Sequence, residues 1–399
     1  MNDRTLRPVR SLSIHADYRC RHSGECCTAD WDVPVEVPVY RSLDEAYRSG
    51  RLHAAPQSRA LSPFVVEPDL PDEAGAMLER NRAGECVFFE RESRLCVVHR
   101  DLGHEALPAT CRHFPRLAVH DRRGTFVSLS HYCPTAAGML FRDDVSLTIV
   151  SAPPAFPPAD YEGLSVSADD LPPLLRPGVV MDLEAYSGWE VHMVRRCAGA
   201  VAPESALATL ERDAAQVRGW TPGGPAMADL VAALPPGFVE AVAPSTLAAS
   251  LADYEQTMAA VPDDLRPSPD EELLEEAFSR LMAPAWAAWS APLRRYLAAK
   301  AFASWTAYQG RGLFSIVRGL QVALALVRVE AARACRDADR PLDRKLLLAA
   351  FRQADFILNH LAVGEDLALA WSQAEGSMRG PEPGAWSPEP SANSAITGP

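Results

Sequence analysis

Two hydrophobic rhythms divide the chain. From about residue 180 to 373, apolar side chains return every three or four positions, the spacing of helices with one buried face. Pro203 and Glu204 read as a helix start, since proline fits a first turn and an acid there meets the positive end of the backbone dipole. Ser245 is the expected cap of another helix, and residues 270–283 are amphipathic. Three long helices follow, at about 286–308, 312–337 and 342–362, with Gly310 and Gly312 punctuating the first junction and Pro341 the second. The most apolar stretch, LFSIVRGLQVALALVRV at 313–329, is broken by Arg318 and Arg328, so it predicts a buried helix and not a membrane span.

The first 150 residues have a different texture. Short alternating runs, WDVPVEVPVY and GTFVSLSHY, predict strands among loops and short helices. Residues 151–178 hold seven prolines and read as a linker or an extended strap. Residues 376–399 have the composition of a disordered tail. The expected architecture is therefore mainly α: a loop-rich N-terminal region (1–150) with few short strands, packed on a C-terminal helical region (179–375).

Charge narrows the function. A net charge of −13 argues against a nucleic-acid binder, which carries a basic face. The N-terminal residues show no secretory signal, so a cytoplasmic location is expected, and there structural disulfides are uncommon. Two lysines, Lys300 and Lys345, stand against 37 arginines, which leaves little room for lysine-based catalysis.

Nine cysteines in a reducing compartment then change the picture. Seven fall before residue 150, spaced C-x5-C-C, a gap of 58, then C-x9-C-x14-C-x21-C: Cys20, Cys26, Cys27, Cys86, Cys96, Cys111 and Cys133. Crowded thiolates repel one another, so they need a cation or must stay protonated, and zinc and iron–sulfur clusters are the usual cations. These seven are the candidate metal ligands. Adjacent side chains in an extended segment point to opposite sides, so Cys26 and Cys27 are expected to face different ways. Cys197 and Cys335 stand alone in helices and read as small buried hydrophobes. His22, His99, His104, His113 and His131 lie near cysteines and could replace a thiolate. Arg112 and Arg116 could hold a carboxylate, and Asp30 and Asp32 beside Trp31 could serve an amine. His360 ends a helix pattern, where a cationic ring meets the negative dipole end, and is given no catalytic role.

The segment CRHSGECCTADWDVPVEVPVYRSL resembles the opening motif of the CxxCxxCC cysteine-cluster family, described as zinc- or iron-chelating proteins, and within it the flagellin lysine-N-methylase branch. Cys26, Cys27, Trp31 and Tyr40 fit that shape. Two further blocks agree in order and spacing. ECVFFERESRLCVVHRDLGHEALPATCRHFPR supplies Cys86, Cys96, Cys111 and the Phe114–Arg116 step, and VSLSHYCPTAAGMLF supplies Cys133 with Pro134 and two alanines. The resemblance covers the first 150 residues. It implies an iron–sulfur (4Fe-4S) or zinc site and, in the methylase branch, methyl transfer from S-adenosylmethionine to a lysine of a flagellin-like protein. The chain departs from the pattern at Ser23, where the family name places a cysteine. The residues themselves show no Gly-rich loop after a strand for S-adenosylmethionine and no C-x3-C-x2-C run, so any methyl chemistry is expected beside the metal. Two other readings stand: a non-catalytic metal-chelating or metal-trafficking protein, and a helical interaction module with a structural zinc.

Overall fold

The computed structural model describes residues 8–29, 31–56, 58, 62–66, 70, 73–158, 161, 165–167, 172–239, 242–266, 274–308, 311–362 and 364–373. Asp30, Gly310 and the expected tail at 376–399 lie outside them. The first half comprises β1 (Val9–Leu12), β2 (Pro34–Glu36), α1 (Val37–Arg48), β3 (Phe64–Val65), β4 (Ala74–Leu78), β5 (Phe89–Glu90), β6 (Leu95–Cys96), α2 (Val97–Leu102), α3 (Ala109–His113), β7 (Arg116–Asp121), β8 (Gly124–Leu129) and α4 (Pro134–Met139). The alternation WDVPVEVPVY becomes a strand only over its middle. Pro38 lacks an N–H for a ladder but suits a first helical turn, so the chain turns helical at Val37.

The segment after α4 adds β9 (Ile149–Ser151), β10 (Ser165–Ser167), β11 (Leu174–Arg176) and β12 (Val179–Val180). A five-stranded sheet has the order β10-β7-β8-β1-β9, so the Pro-rich stretch and its approach supply both edges. β7 and β8 form a tight hairpin, and β1 runs parallel to β8 with Val9 opposite Thr125. Gly124 fits there alone: its φ is +140°, and a Cβ would strike the Pro8 carbonyl. The strands are more numerous than expected but short, and β2-β4-β3, β5-β6 and β11-β12 are small separate sheets.

The rest is helical: α5 (Leu183–Ala198), α6 (Pro203–Arg218), α7 (Met227–Ala232), α8 (Leu247–Met258), α9 (Leu274–Ala277), α10 (Ala283–Trp286), α11 (Ser290–Ala301), α12 (Leu313–Ala338), α13 (Arg344–Phe356) and α14 (Gly364–Gln373). The fold is mainly α. α6 opens at Pro203 as expected. The cap of α8 is Thr246, one residue beyond Ser245, and its side chain accepts from the Ala249 N–H. α12 is buried almost all round, as a helix apolar on every face must be. Its Arg328 is compensated by Glu204 at 2.7 Å, and the Trp286 indole N–H donates to the same carboxylate at 3.0 Å. Cys197 and Cys335 are buried in apolar surroundings, as expected. No helix among the described residues is long and apolar enough to cross a membrane.

One polar cluster ties the sheet end to the helices. The fully buried Asp355 of α13 accepts from Lys300 Nζ at 2.6 Å and Tyr296 Oη at 2.8 Å, both on α11. On its other oxygen it accepts from the His131 backbone N–H at 2.5 Å and ring Nδ1–H at 3.1 Å. With His131 protonated on Nδ1, its Nε2 is the acceptor for His15 Nε2–H at 3.3 Å. This fixes residues 130–133, the link from β8 to α4. Ser130 meets His360 Nε2 at 2.9 Å, Tyr132 stacks near Phe356, and Cys133 begins α4.

His360 itself lies in a π-turn (Ile357–Leu361) after α13, its ring 4.6 Å from that of Trp31. Burial pushes its pKa down to about 4, so the ring is neutral and desolvation outweighs the dipole effect expected from its position. Burial also lowers His15 and His131.

Removing the hub strands a buried cation and three donors. Asp355→Ala is expected to cost about 3–5 kcal/mol, measured by urea unfolding. The histidines set the pH response. An unfolded histidine binds its proton near 6.5 and folded His360 only near about 4, so stability falls as pH drops through that window. A urea midpoint unchanged between about pH 7.5 and about pH 5 would contradict this.

Candidate metal centre

The first three thiols sit on an irregular segment shaped by glycine. Gly24 has φ +77° and lies against the Phe89 ring, where a Cβ would collide, so the chain turns sharply there. It then makes one 3-10 turn, Glu25–Cys27, closed by the Cys27 N–H donating to the Gly24 carbonyl at 2.9 Å. That turn overturns the expectation for the adjacent pair. The segment is not extended, successive side chains are about 120° apart, and the Cys26 and Cys27 sulfurs approach to 3.9 Å. Arg94 donates to the Ser23 carbonyl at 2.9 Å and pairs with Glu25 at 3.1 Å, while Arg352 of α13 reaches Glu25 at 2.7 Å.

The second group comes from the short β5–β6 hairpin and the helices after it. The Cys86 N–H donates to the Cys27 carbonyl at 2.8 Å, joining the two groups across the 58-residue gap. Cys96 lies opposite Phe89 and begins α2; Cys111 sits on α3; Cys133 meets the Tyr18 hydroxyl at 3.6 Å. A small apolar core including Val33, Leu43, Leu78, Phe88, Val98 and Leu107 lies beneath this region.

All seven candidate cysteines line one cavity of about 160 Å³. That is roughly five water volumes, the space of an ion or small inorganic cluster and below that of a substrate pocket. Among the described residues, no three His, Cys, Asp or Glu side chains stand at ligating geometry, so the thiols gather without closing on one point. Their donor chemistry fits a thiophilic ion, and their protonation shows what such crowding does. Cys26 and Cys27 lie within hydrogen-bonding reach of each other. Interaction with its two neighbours keeps the proton on Cys27, whose pKa is raised, while Cys26 is lowered and Cys96 is brought down to about 7. Burial pushes Cys86 up to about 12 and raises Cys111 as well. Ser23 lines the same cavity, with its backbone carbonyl held by Arg94.

Of the histidines, His22, His99 and His104 line the cavity, with ring centroids 5.2 and 5.7 Å apart in succession. His113 faces Tyr161, and His131 is committed to Asp355. Arg112 and Arg116 also line the cavity, each donating to a backbone carbonyl, and Arg116 lies over Tyr18. Trp31 forms a wall against Phe114 and His360, while Asp32 is held by Arg80 at 2.6 Å. The Lys300–Asp355–His131–His15 cluster went unnoticed in the sequence. Its members lie far apart in the chain, and no local pattern marks Lys300 for this role.

Comparison of the chain with family models, curated proteins and solved structures finds no match.

The shared proton predicts an order of reactivity. In metal-free protein near neutral pH, iodoacetamide should modify Cys26 and Cys96 ahead of Cys86 and Cys111, as read by peptide mapping. Cys27→Ala removes the donor, so the Cys96 pKa should rise from about 7 and its alkylation slow at that pH.

Proposed function

We propose that this chain is an iron–sulfur (or zinc) binding cysteine-cluster protein of the flagellin lysine-N-methylase kind. Its ligands are drawn from Cys20, Cys26, Cys27, Cys86, Cys96, Cys111 and Cys133. The observation that carries the reading is that seven cysteines, spread from residue 20 to residue 133, line one small cavity of about 160 Å³. In this reading the cysteine-cluster region is a unit seated on the helical region, and the protein works in the reducing cytoplasm, where its nine cysteines stay free of disulfides.

The first ligands would be Cys26, Cys27 and Cys96, which already share a proton. Binding a cation displaces that proton and relieves the repulsion among the sulfurs. Cys86 and Cys111, held protonated by burial, lose their protons only to a metal. Phe88, Phe114, Val33 and Leu43 keep the lining dry, which strengthens metal–thiolate bonds. Arg94 and Arg352 clamp the turn that carries Cys26 and Cys27. The bound cluster would supply electron transfer or Lewis acidity. In the methylase reading, the carbon–sulfur bond of S-adenosylmethionine breaks as a nitrogen–carbon bond forms on a protein lysine that has given up its ammonium proton. Trp31 and Phe114 are aromatic walls of the thiol cavity, where the sulfonium cation of S-adenosylmethionine would be held.

Anaerobic purification tests the reading. Brown protein with iron and acid-labile sulfide is expected, and Cys27→Ser or Cys96→Ser should lower bound iron several-fold while Cys197→Ser leaves it unchanged. Colourless protein holding one tight zinc would replace the cluster by a structural site. Metal-loaded protein should bind S-adenosylmethionine by calorimetry and methylate a flagellin-like protein; no binding would remove the methylase assignment and leave the metal assignment standing.

A further inference from the structure

Beside the thiol cavity lies a larger concave site of about 830 Å³, within the size range of small-molecule pockets. It is lined by four arginines, Arg19, Arg21, Arg142 and Arg344, against one carboxylate, Asp17. In a chain of net charge −13 such a concentration of guanidinium groups is a local reversal of sign. Like charges facing one concavity repel each other unless an anion completes them, and a cleft lined by one sign focuses its field on that anion.

The four groups are prepared differently. Arg142 is fixed by Asp17 at 2.5 Å and Asp144 at 3.3 Å, and the Arg344 guanidinium lies 5.1 Å from the centre of the Phe141 ring. These two are held before any ligand arrives. Arg19 and Arg21, on the loop that flanks Cys20, make no ion pair with a described residue, so their donors are uncommitted. Apolar floor is supplied by Pro134 and Met139. Two pre-set and two adaptable guanidiniums around a partly apolar floor suit bidentate recognition of planar or tetrahedral oxyanions.

We infer that this arginine-lined cavity is a binding site for a small polyanion, a molecule carrying two or more phosphate or carboxylate groups. Ser23 and Thr135 line both this site and the thiol cavity, so an anion anchored here lies next to the cysteines. The site stands on the arginine geometry alone and does not depend on which metal the thiols hold.

Calorimetry on the full chain, purified anaerobically, tests it with two probes that chelate soft metals weakly: fructose 1,6-bisphosphate for phosphate and tricarballylate for carboxylate. At least one is expected to bind, more weakly as salt is raised, because exposed charge pairs are screened. Tighter binding of the first assigns a phosphate ligand and of the second a carboxylate ligand. Arg344→Glu and Arg21→Glu should each weaken binding by about tenfold or more, the effect of losing a charge-assisted pair and adding a like charge. Both side chains are exposed, so unchanged circular dichroism is expected, and either variant carries the test if the other misfolds. Absence of binding at about 1 mM of either probe, or variants that bind like the parent, overturns the site. Metal content measured on the same samples keeps the result separate from the metal assignment.

Discussion

The Asp355 carboxylate organises the junction on which the thiol cavity rests. A buried carboxylate is tolerable only if every lone pair is matched, and here one lysine, one tyrosine and both donors of His131 match it. The partners come from α11 and from the link between β8 and α4. The carboxylate therefore fixes where residues 130–133 lie on the helices, and with them the orientation of Tyr132 and Cys133. The same α13 sends Arg352 to Glu25 on the turn that carries Cys26 and Cys27. The helical half thus reaches the thiols at two places by charge-assisted bonds, which have the directionality that apolar contacts lack.

The thiol cavity shows the complementary state. It holds many potential anions and few cations, and the proton shared by Cys26, Cys27 and Cys96 compensates part of the repulsion. Arg112 and Arg116 line the cavity but spend donors on backbone carbonyls. A site in which thiols outnumber free cations while its walls are apolar is poised to exchange protons for a metal. The cavity volume sets the scale of what can enter, and it is that of an ion or small cluster.

Much of this could be read from the sequence where local patterning governs. The long apolar run at 313–329 is a buried helix because exposing any of its faces would put apolar surface in water, and Pro203 starts a helix because its fixed φ and missing N–H suit a first turn. The cysteines could be singled out by density alone. The relation of Cys26 to Cys27 could not, since it turns on the left-handed Gly24, and that conformation depends on Phe89 arriving from a distant hairpin. WDVPVEVPVY looked like a strand because its alternation extends through Tyr40, whereas Pro38 decides the matter from inside the run. Asp355, Lys300, His131 and His15 each look ordinary in their own segments, and only long-range packing makes them one cluster.

Arginine usage brings these scales together. Arginine outnumbers lysine 37 to two, and the fold places arginines where a planar, multidentate cation is needed. Arg123 bridges Asp121 and Glu190 while stacked on Phe126 and Tyr186, and Arg196 binds Asp213 and the carbonyls of Pro235 and Pro236. A lysine ammonium could not meet several acceptors in one plane while lying on an aromatic face. At Asp355 the demand is reversed: Tyr296 and His131 already occupy most of the carboxylate, and a single compact donor completes it. There the chain keeps one of its two lysines. Even against a strong compositional bias, then, the choice between the two cations follows the number of lone pairs left to satisfy.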